Sequence, residues 1–253
     1  MTSHPASSIQ VLDRAMALVN LLARAPGPAS LSRLATDADL HTASAHRILG
    51  ALIAHGLVEK TGAGEYDLGV RWLEVGNRLR ARLNIRQVAM PHMQALAQAT
   101  GETVNLIVRR GDEAVYVERV SGGQTMIQVV QVVGAHAPLH VTAVGKIFLA
   151  EDSASGVLGY AQRTQLPAYT PNTLTTPEAL SAELDTIRRE GLAHDREEAE
   201  IGVACLGAPI RDADGKLVAG LSISAPADRH KPGWPALLKE AAGRIGAALG
   251  YAD

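Results

Sequence analysis

Cysteine, aromatic side chains, long apolar runs and an excess of either charge are all scarce in this chain of 253 residues. Its one cysteine, Cys205, excludes an internal disulfide and suits a reducing compartment. Aromatics make up 3% of the chain, with a single Phe, so the cores have to be built from Ala, Leu, Val and Ile. No platform for stacking single-stranded bases is visible. No apolar run approaches the roughly 18 residues of a membrane span, and the start MTSHPASSIQ has neither the charged head nor the apolar middle of a signal peptide. A soluble, cytoplasmic protein with no membrane partner is expected. The formal net charge of −2 gives no general attraction to nucleic acid. Residues 1–80 hold eight basic against seven acidic groups, an asymmetry of the right sign but small. Affinity for DNA in such a chain has to come from local clustering and from dimerisation, which doubles the phosphate contacts.

What is present is organised around residues 31–56. Leu31, Leu34, Ala35 and Ala38 repeat at helical spacing behind Ser30, a side chain suited to cap a helix start. Ala45, Ile48, Leu49, Leu52 and Ile53 form a second apolar stripe, and Thr42, Ser44, His46 and Arg47 fall mostly off it near the helix start. Asp39-Leu40-His41 between them leaves room for a sharp turn alone, with Leu40 as its apolar plug and Asp39 at a position where positive φ is tolerated. This is the pattern of a helix-turn-helix whose second helix enters a major groove. A plain helical hairpin used for packing is the competing reading of the same residues. Two short alternating runs, Leu57-Val58-Glu59-Lys60 and Glu65-Tyr66-Asp67-Leu68, flank the loop Thr61-Gly62-Ala63-Gly64 and turn the motif into a winged helix. Lys60 stands at the base of the wing, where phosphate contacts fix position without reading sequence.

A supporting helix is expected over residues 9–25, ended by Pro26-Gly27-Pro28. Residues 70–83 resume helical spacing and read as a helical linker, dividing the chain into a DNA-binding domain at 1–78 and a second domain at 79–253. In that second domain the spacing predicts a helix over 84–100, with Pro91 placed to kink it or start a new segment. Strands follow over 103–109, 113–120 and 125–133, helices over 142–150 and 177–191, strands over 203–209 and 217–224 around the turn Asp212-Ala213-Asp214-Gly215, and a closing helix over 234–249. Strands and helices mix without strict alternation, so the class is α+β with an antiparallel sheet.

Several residues of the second domain invite chemistry. Pro138 through Lys146 open a helix whose free amides suit a carboxylate or other small anion. It is no P-loop, because His140 and Ile147 stand where that motif needs a glycine and a Ser or Thr. Ser222 and Ser224 alternate on one strand, so both hydroxyls face the same way and need partners; a ligand or a solvated surface would each supply them. Asp195 and the cluster Glu197, Glu198 and Glu200 precede Cys205, which among Val203, Ala204 and Leu206 reads as a small buried hydrophobe. His136, His140, Asp195 and Cys205 could ligate zinc only by an unspecific spacing, and no metal or cofactor is expected. No hydrolase, metalloprotease or dinucleotide motif is present.

The chain resembles the IclR (isocitrate lyase regulator) family of bacterial transcription factors nearly end to end. The resemblance is carried by Asp13-Arg14-Ala15, Ser44-Ala45-His46-Arg47, Gly56-Leu57-Val58 and Tyr66-Asp67-Leu68-Gly69 in the first domain. In the second it is carried by Thr100-Gly101-Glu102-Thr103-Val104-Asn105-Leu106, Pro138-Leu139-His140 through Gly145-Lys146, Glu197-Glu198, and Ala208-Pro209-Ile210 leading to Leu221-Ser222-Ile223-Ser224. It implies a winged helix joined by a helical linker to a GAF-like effector-binding domain, assembled as homodimers or dimers of dimers, and a regulator rather than an enzyme. Contacts to a double-stranded operator are then expected at Ser30, Thr42, Ala43, Ser44, His46, Arg47 and Lys60. A small organic or aromatic acid is expected at Ala143, Val144, Asp195, Cys205, Ser222 and Ser224. Two departures stand out: Ala143 replaces a glycine found in some relatives, and Ala43 replaces a common Ser. The alternative is a small-molecule enzyme that uses Cys205 and Asp195, with the winged helix serving assembly only.

Overall fold

Pro26 has no amide hydrogen to continue a helix, and α1 stops ahead of it, spanning Gln10–Arg24. α2 (Leu31–Asp37) starts at Ser30, whose Oγ accepts a 3.4 Å bond from the Arg33 amide. Asp39 takes φ 53° and lets the chain double back into α3 (Thr42–Ala54). β1 (Val58–Lys60) and β2 (Tyr66–Leu68) pair antiparallel as the wing. Gly69 after it is obligatory, since a Cβ there would run into the Gly56 carbonyl. α4 (Arg71–Arg80) is tied back by Trp72, whose indole N–H donates to the Leu57 carbonyl at 2.8 Å. Leu18, Leu22, Leu34, Ala45, Leu49 and Val58 close the core of this unit. Ile53, expected on the buried stripe of α3, is 37% exposed instead. At about 100° per residue it lies roughly a quarter turn from the centre of that stripe. Val11 and Leu12, on the apolar face of α1, are also exposed, because α1 meets the core with Leu18, Val19 and Leu22 and its first turns project beyond it.

The computed structural model describes residues 9–80, 84–123 and 133–252, in two compact units that meet in sequence at Arg82 and Leu83. The second unit opens with α5 (Ile85–Thr100), which runs unbroken through Pro91. The one backbone bond lost there is outweighed by burial of Ala89, Met93, Leu96 and Ala97. Gly101 at φ 76° ends it. β3 (Thr103–Arg110) and β4 (Glu113–Val120) form the expected hairpin; β5 (His136–Pro138), α6 (Ala143–Ala150), α7 (Ala154–Thr164), α8 (Pro177–Glu190), β6 (Ala193–Arg196), β7 (Val203–Arg211), β8 (Leu217–Pro226) and α9 (Trp234–Ala248) follow. The strands make one antiparallel sheet in the order β5-β4-β3-β8-β7-β6. α5 and α9 cover one face against Leu106, Leu206, Leu221 and Ile223; α6, α7 and α8 cover the other against Ile107, Tyr116 and Cys205. The class is α+β. The strand expected over 125–133 falls, except for Val133, outside the described residues. Three elements escaped the sequence reading: β5 and β6 because each is too short and polar to alternate, and α7 because Gly156 and Gly159 interrupt its apolar period.

Candidate functional site

α3 turns its polar side chains outward. Thr42, Ala43, His46 and Arg47 are exposed and Ser44 is half-buried, while Ala45, Ile48 and Leu49 face the core. Among the described residues, the side chains of Thr42, Ser44, His46 and Arg47 have no hydrogen-bond or ion-pair partner. His41 occupies the N-cap position without a side-chain bond; its carbonyl accepts from the Ser44 amide at 2.8 Å, so the Thr42 and Ala43 amides are the ones left for an outside acceptor. Ser30 is exposed but spends its oxygen on the Arg33 amide. Lys60 is exposed, its ammonium 5.7 Å from the centre of the Tyr66 ring. The surface of α3 is thus a protruding, uncapped and uncommitted polar helix start, the shape and chemistry that a major groove accepts.

The second constellation is built by strand register. Asp195 pairs across with Cys205, Cys205 with Ser224, and Ser224 with Thr103; one step along, Asn105 pairs with Ser222 and Ser222 with Gly207. Directly paired residues share a sheet face, so these side chains form one polar strip on the face covered by α6. α6 reaches that strip because two glycines let it. A Cβ on Gly207 would lie 3.1 Å from the Val144 amide nitrogen, and one on Gly220 would collide with the Val144 side chain. Thr142 caps the helix, its Oγ1 accepting from the Gly145 amide at 3.1 Å, so Ala143 and Val144 present the first-turn amides that a helix cannot satisfy itself. The six residues expected at the effector site therefore lie on one structural surface, drawn from four elements.

Asn105, Thr103 and Tyr116 join them and were not singled out from the sequence. Asn105 is fully buried and donates through Nδ2 to Ser222 Oγ at 3.3 Å and to Ser224 Oγ at 3.1 Å. Ser224 Oγ in turn lies 3.1 Å from Cys205 Sγ. The one available signal was that Thr103 and Asn105 alternate in an apolar strand as Ser222 and Ser224 do.

Burial pushes the Asp195 carboxyl up to about 6, opposed by the Glu198 amide, which donates to its Oδ1 at 2.8 Å. Burial, followed by the nearby Asp195, also pushes the Cys205 thiol far above its ordinary value, so it stays protonated and inert as a nucleophile. On α6, which covers the strip, Lys146 is wholly buried and donates to both carboxylate oxygens of Glu198 at 2.6 and 2.7 Å. Glu198, expected as part of an acidic cluster, is thus a buried counter-ion. The residues weighed for zinc separate. His136 pairs with Glu113 at 2.7 Å on the surface, and buried His140 lies between the Tyr160 hydroxyl and the Pro167 carbonyl. The carbonyl needs a donor, so Nε2 of His140 carries the proton and Nδ1 accepts from Tyr160. A cavity of about 430 Å3 approaches from the outer edge of the sheet, touching Asp195 and Cys205 on one side and His194, His230 and Lys231 on the other.

Two family models match the chain: the IclR helix-turn-helix domain over residues 11–62 and the bacterial transcriptional regulator IclR C-terminal domain over residues 78–245. The DNA-binding transcriptional repressor YiaJ of Escherichia coli is 35% identical over 254 residues, covering 98% of this chain and 90% of the repressor. The crystal structure of Pseudomonas aeruginosa HmgR superimposes with a TM-score of 0.84 at 26% identity, covering 96% of this chain and 99% of HmgR. An IclR homologue from Microbacterium hydrocarbonoxydans, solved in complex with 4-hydroxybenzoate, gives a TM-score of 0.62 at 27% identity, covering 94% and 98%.

Proposed function

Because the chain belongs to the IclR family of bacterial transcriptional regulators, we propose that its grip on a duplex operator is set by a small carboxylic or aromatic acid held on the polar strip beneath α6. The protein is a DNA-binding regulator and not an enzyme, and no helix among the described residues is long and apolar enough to cross a membrane. The observation that carries the ligand reading is the convergence of Asp195, Cys205, Ser222 and Ser224 with the opening of α6 inside an otherwise apolar shell. Hydroxyls and first-turn amides supply donors for an anion there, and the surrounding apolar side chains suit the body of an organic acid. The relative solved with 4-hydroxybenzoate makes such an acid a sensible first ligand.

In the first unit, Arg47 and His46 reach base edges or phosphates, with Thr42, Ala43, Ser44 and Ser30 close to the backbone and Lys60 on the adjacent phosphates. The protein acts as a homodimer or dimer of dimers. Supporting this, Ile9, Val11, Leu12 and Met16 of the first helix region and Val70, Leu73 and Val75 around α4 are large apolar side chains left in solvent. The test is fluorescence anisotropy on a labelled fragment of the upstream region. Arg47→Ala should weaken binding by about 1 to 3 kcal/mol if the side chain reads a base. Adding small acids to the wild type should change operator affinity, and Ser222→Ala should abolish that response while leaving ligand-free DNA binding intact. Unchanged affinity in Arg47→Ala removes the recognition assignment, and an acid response surviving Ser222→Ala removes the strip.

A further inference from the structure

Among the described residues, the polar strip holds two buried side-chain atoms without a hydrogen-bond partner. Asn105 is 0% exposed and donates through Nδ2 to both serines, while its Oδ1 has no partner. Thr103, two residues away on the same strand face and 4% exposed, also leaves its Oγ1 without a partner. A buried carboxamide oxygen without a donor is costly, and two such atoms two residues apart on one strand face are rare in a well-packed interior. The other polar side chains of the strip each have at least one partner: Ser222 and Ser224 accept from Asn105 Nδ2, Ser224 also meets Cys205, and Asp195 Oδ1 accepts from the Glu198 amide. The vacancy is therefore local and of one kind, an acceptor beside a hydroxyl.

We infer that Asn105 and Thr103 are specificity-determining residues for the effector, and that the effector is a hydroxy-substituted carboxylic acid whose hydroxyl fills this vacancy. A hydroxyl is the group that answers both atoms, since it donates its hydrogen to Asn105 Oδ1 and accepts from the Thr103 hydroxyl. A keto or plain alkyl group offers no hydrogen to Oδ1 and leaves the buried acceptor empty. An ammonium offers hydrogens but no lone pair for Thr103, and brings a charge to two neutral partners. The Ser222 hydroxyl, which accepts from Asn105 and keeps its own hydrogen to donate, and the first amides of α6 take the carboxylate. Sites built to bond a hydroxyl reject the analogue lacking it far more strongly than apolar pockets reject a missing methylene. The inference rests on the ligand reading given above.

The test is a thermal-shift titration of the full chain with matched acids: glycolate against acetate, lactate against propionate and alanine, gluconate against hexanoate, and 4-hydroxybenzoate against benzoate. In at least one set the hydroxy acid should raise the melting temperature at a concentration tenfold or more below its deoxy or amino counterpart. Asn105→Ala should cut that preference to within a few-fold, chiefly by weakening the hydroxy acid, and Thr103→Val should do so in part. The wild-type comparison stands even if a variant fails to fold. If the deoxy or amino acids stabilise the wild type as well as the hydroxy acids do, or a folded Asn105→Ala keeps the preference, the inference is overturned while an acid site survives. If no acid of any set shifts the wild type, the underlying ligand reading falls with it.

Discussion

Asp195 is the residue whose chemistry depends most on where the fold puts it. In the unfolded chain its carboxyl titrates near 3.8, and in the folded protein burial raises it to about 6. Between those values the folded state holds a proton that the unfolded state has released, so stability from this group is full below about 4 and is lost as pH rises through about 6. The span corresponds to roughly 3 kcal/mol. Asp195→Asn, which keeps an oxygen for the Glu198 amide, should therefore gain stability over the wild type at pH 7.5 and match it near pH 4, as read by urea midpoints. A difference that stays constant with pH would show the carboxyl to be solvated. Nothing local in the sequence announces this. Asp195 sits among acidic neighbours as any surface residue would, and its burial comes from pairing with Cys205 across the sheet.

At the scale of elements, α6 depends on the flat seat that Gly207 and Gly220 give it on β7 and β8. Gly220→Ala places a Cβ against the Val144 side chain, and overpacking of this kind costs about 1 to 3 kcal/mol. Combining it with Val144→Ala should recover most of the loss in a denaturation midpoint; no recovery would mean that the glycine serves the strand and not the helix. α1 and α4 show the opposite situation, large apolar side chains that no described residue covers. Leu73, 66% exposed, contributes to no core of the described unit. Leu73→Asp should leave the melting temperature within a degree or two and lower the assembly state seen by light scattering, whereas an unchanged mass would clear α4 of any part in assembly. Element type was legible wherever the period was long. α1, α5, α8 and α9 begin and end within two residues of the reading, but β5 and β6 acquire strand character solely from their neighbours β4 and β7.

For the whole molecule, a net charge of −2 means that affinity for DNA comes from the few cations the reader presents and from how many readers bind at once. Lys60→Ala should weaken binding to all sequences alike and reduce the slope of log affinity against log salt by about one for each reader engaged. A drop near two in anisotropy titrations would mark a dimer on the operator, and no change would remove the wing from the phosphate backbone.

The sequence by itself determined the order of the two units, the winged helix with its outward Thr42, His46 and Arg47, the α+β class and the family, because these depend on short-range spacing, on turn residues such as Asp39 and Gly101, and on ordered motifs. It also marked Asp195, Cys205, Ser222 and Ser224, though as separate points on the chain. Tertiary structure alone decided that they share a face with Asn105 and Thr103, that Lys146 and Glu198 meet inside the protein, and that one carboxamide oxygen is left unfilled. Those facts follow from strand register, in which residues more than a hundred positions apart become neighbours through backbone pairing that no local pattern encodes.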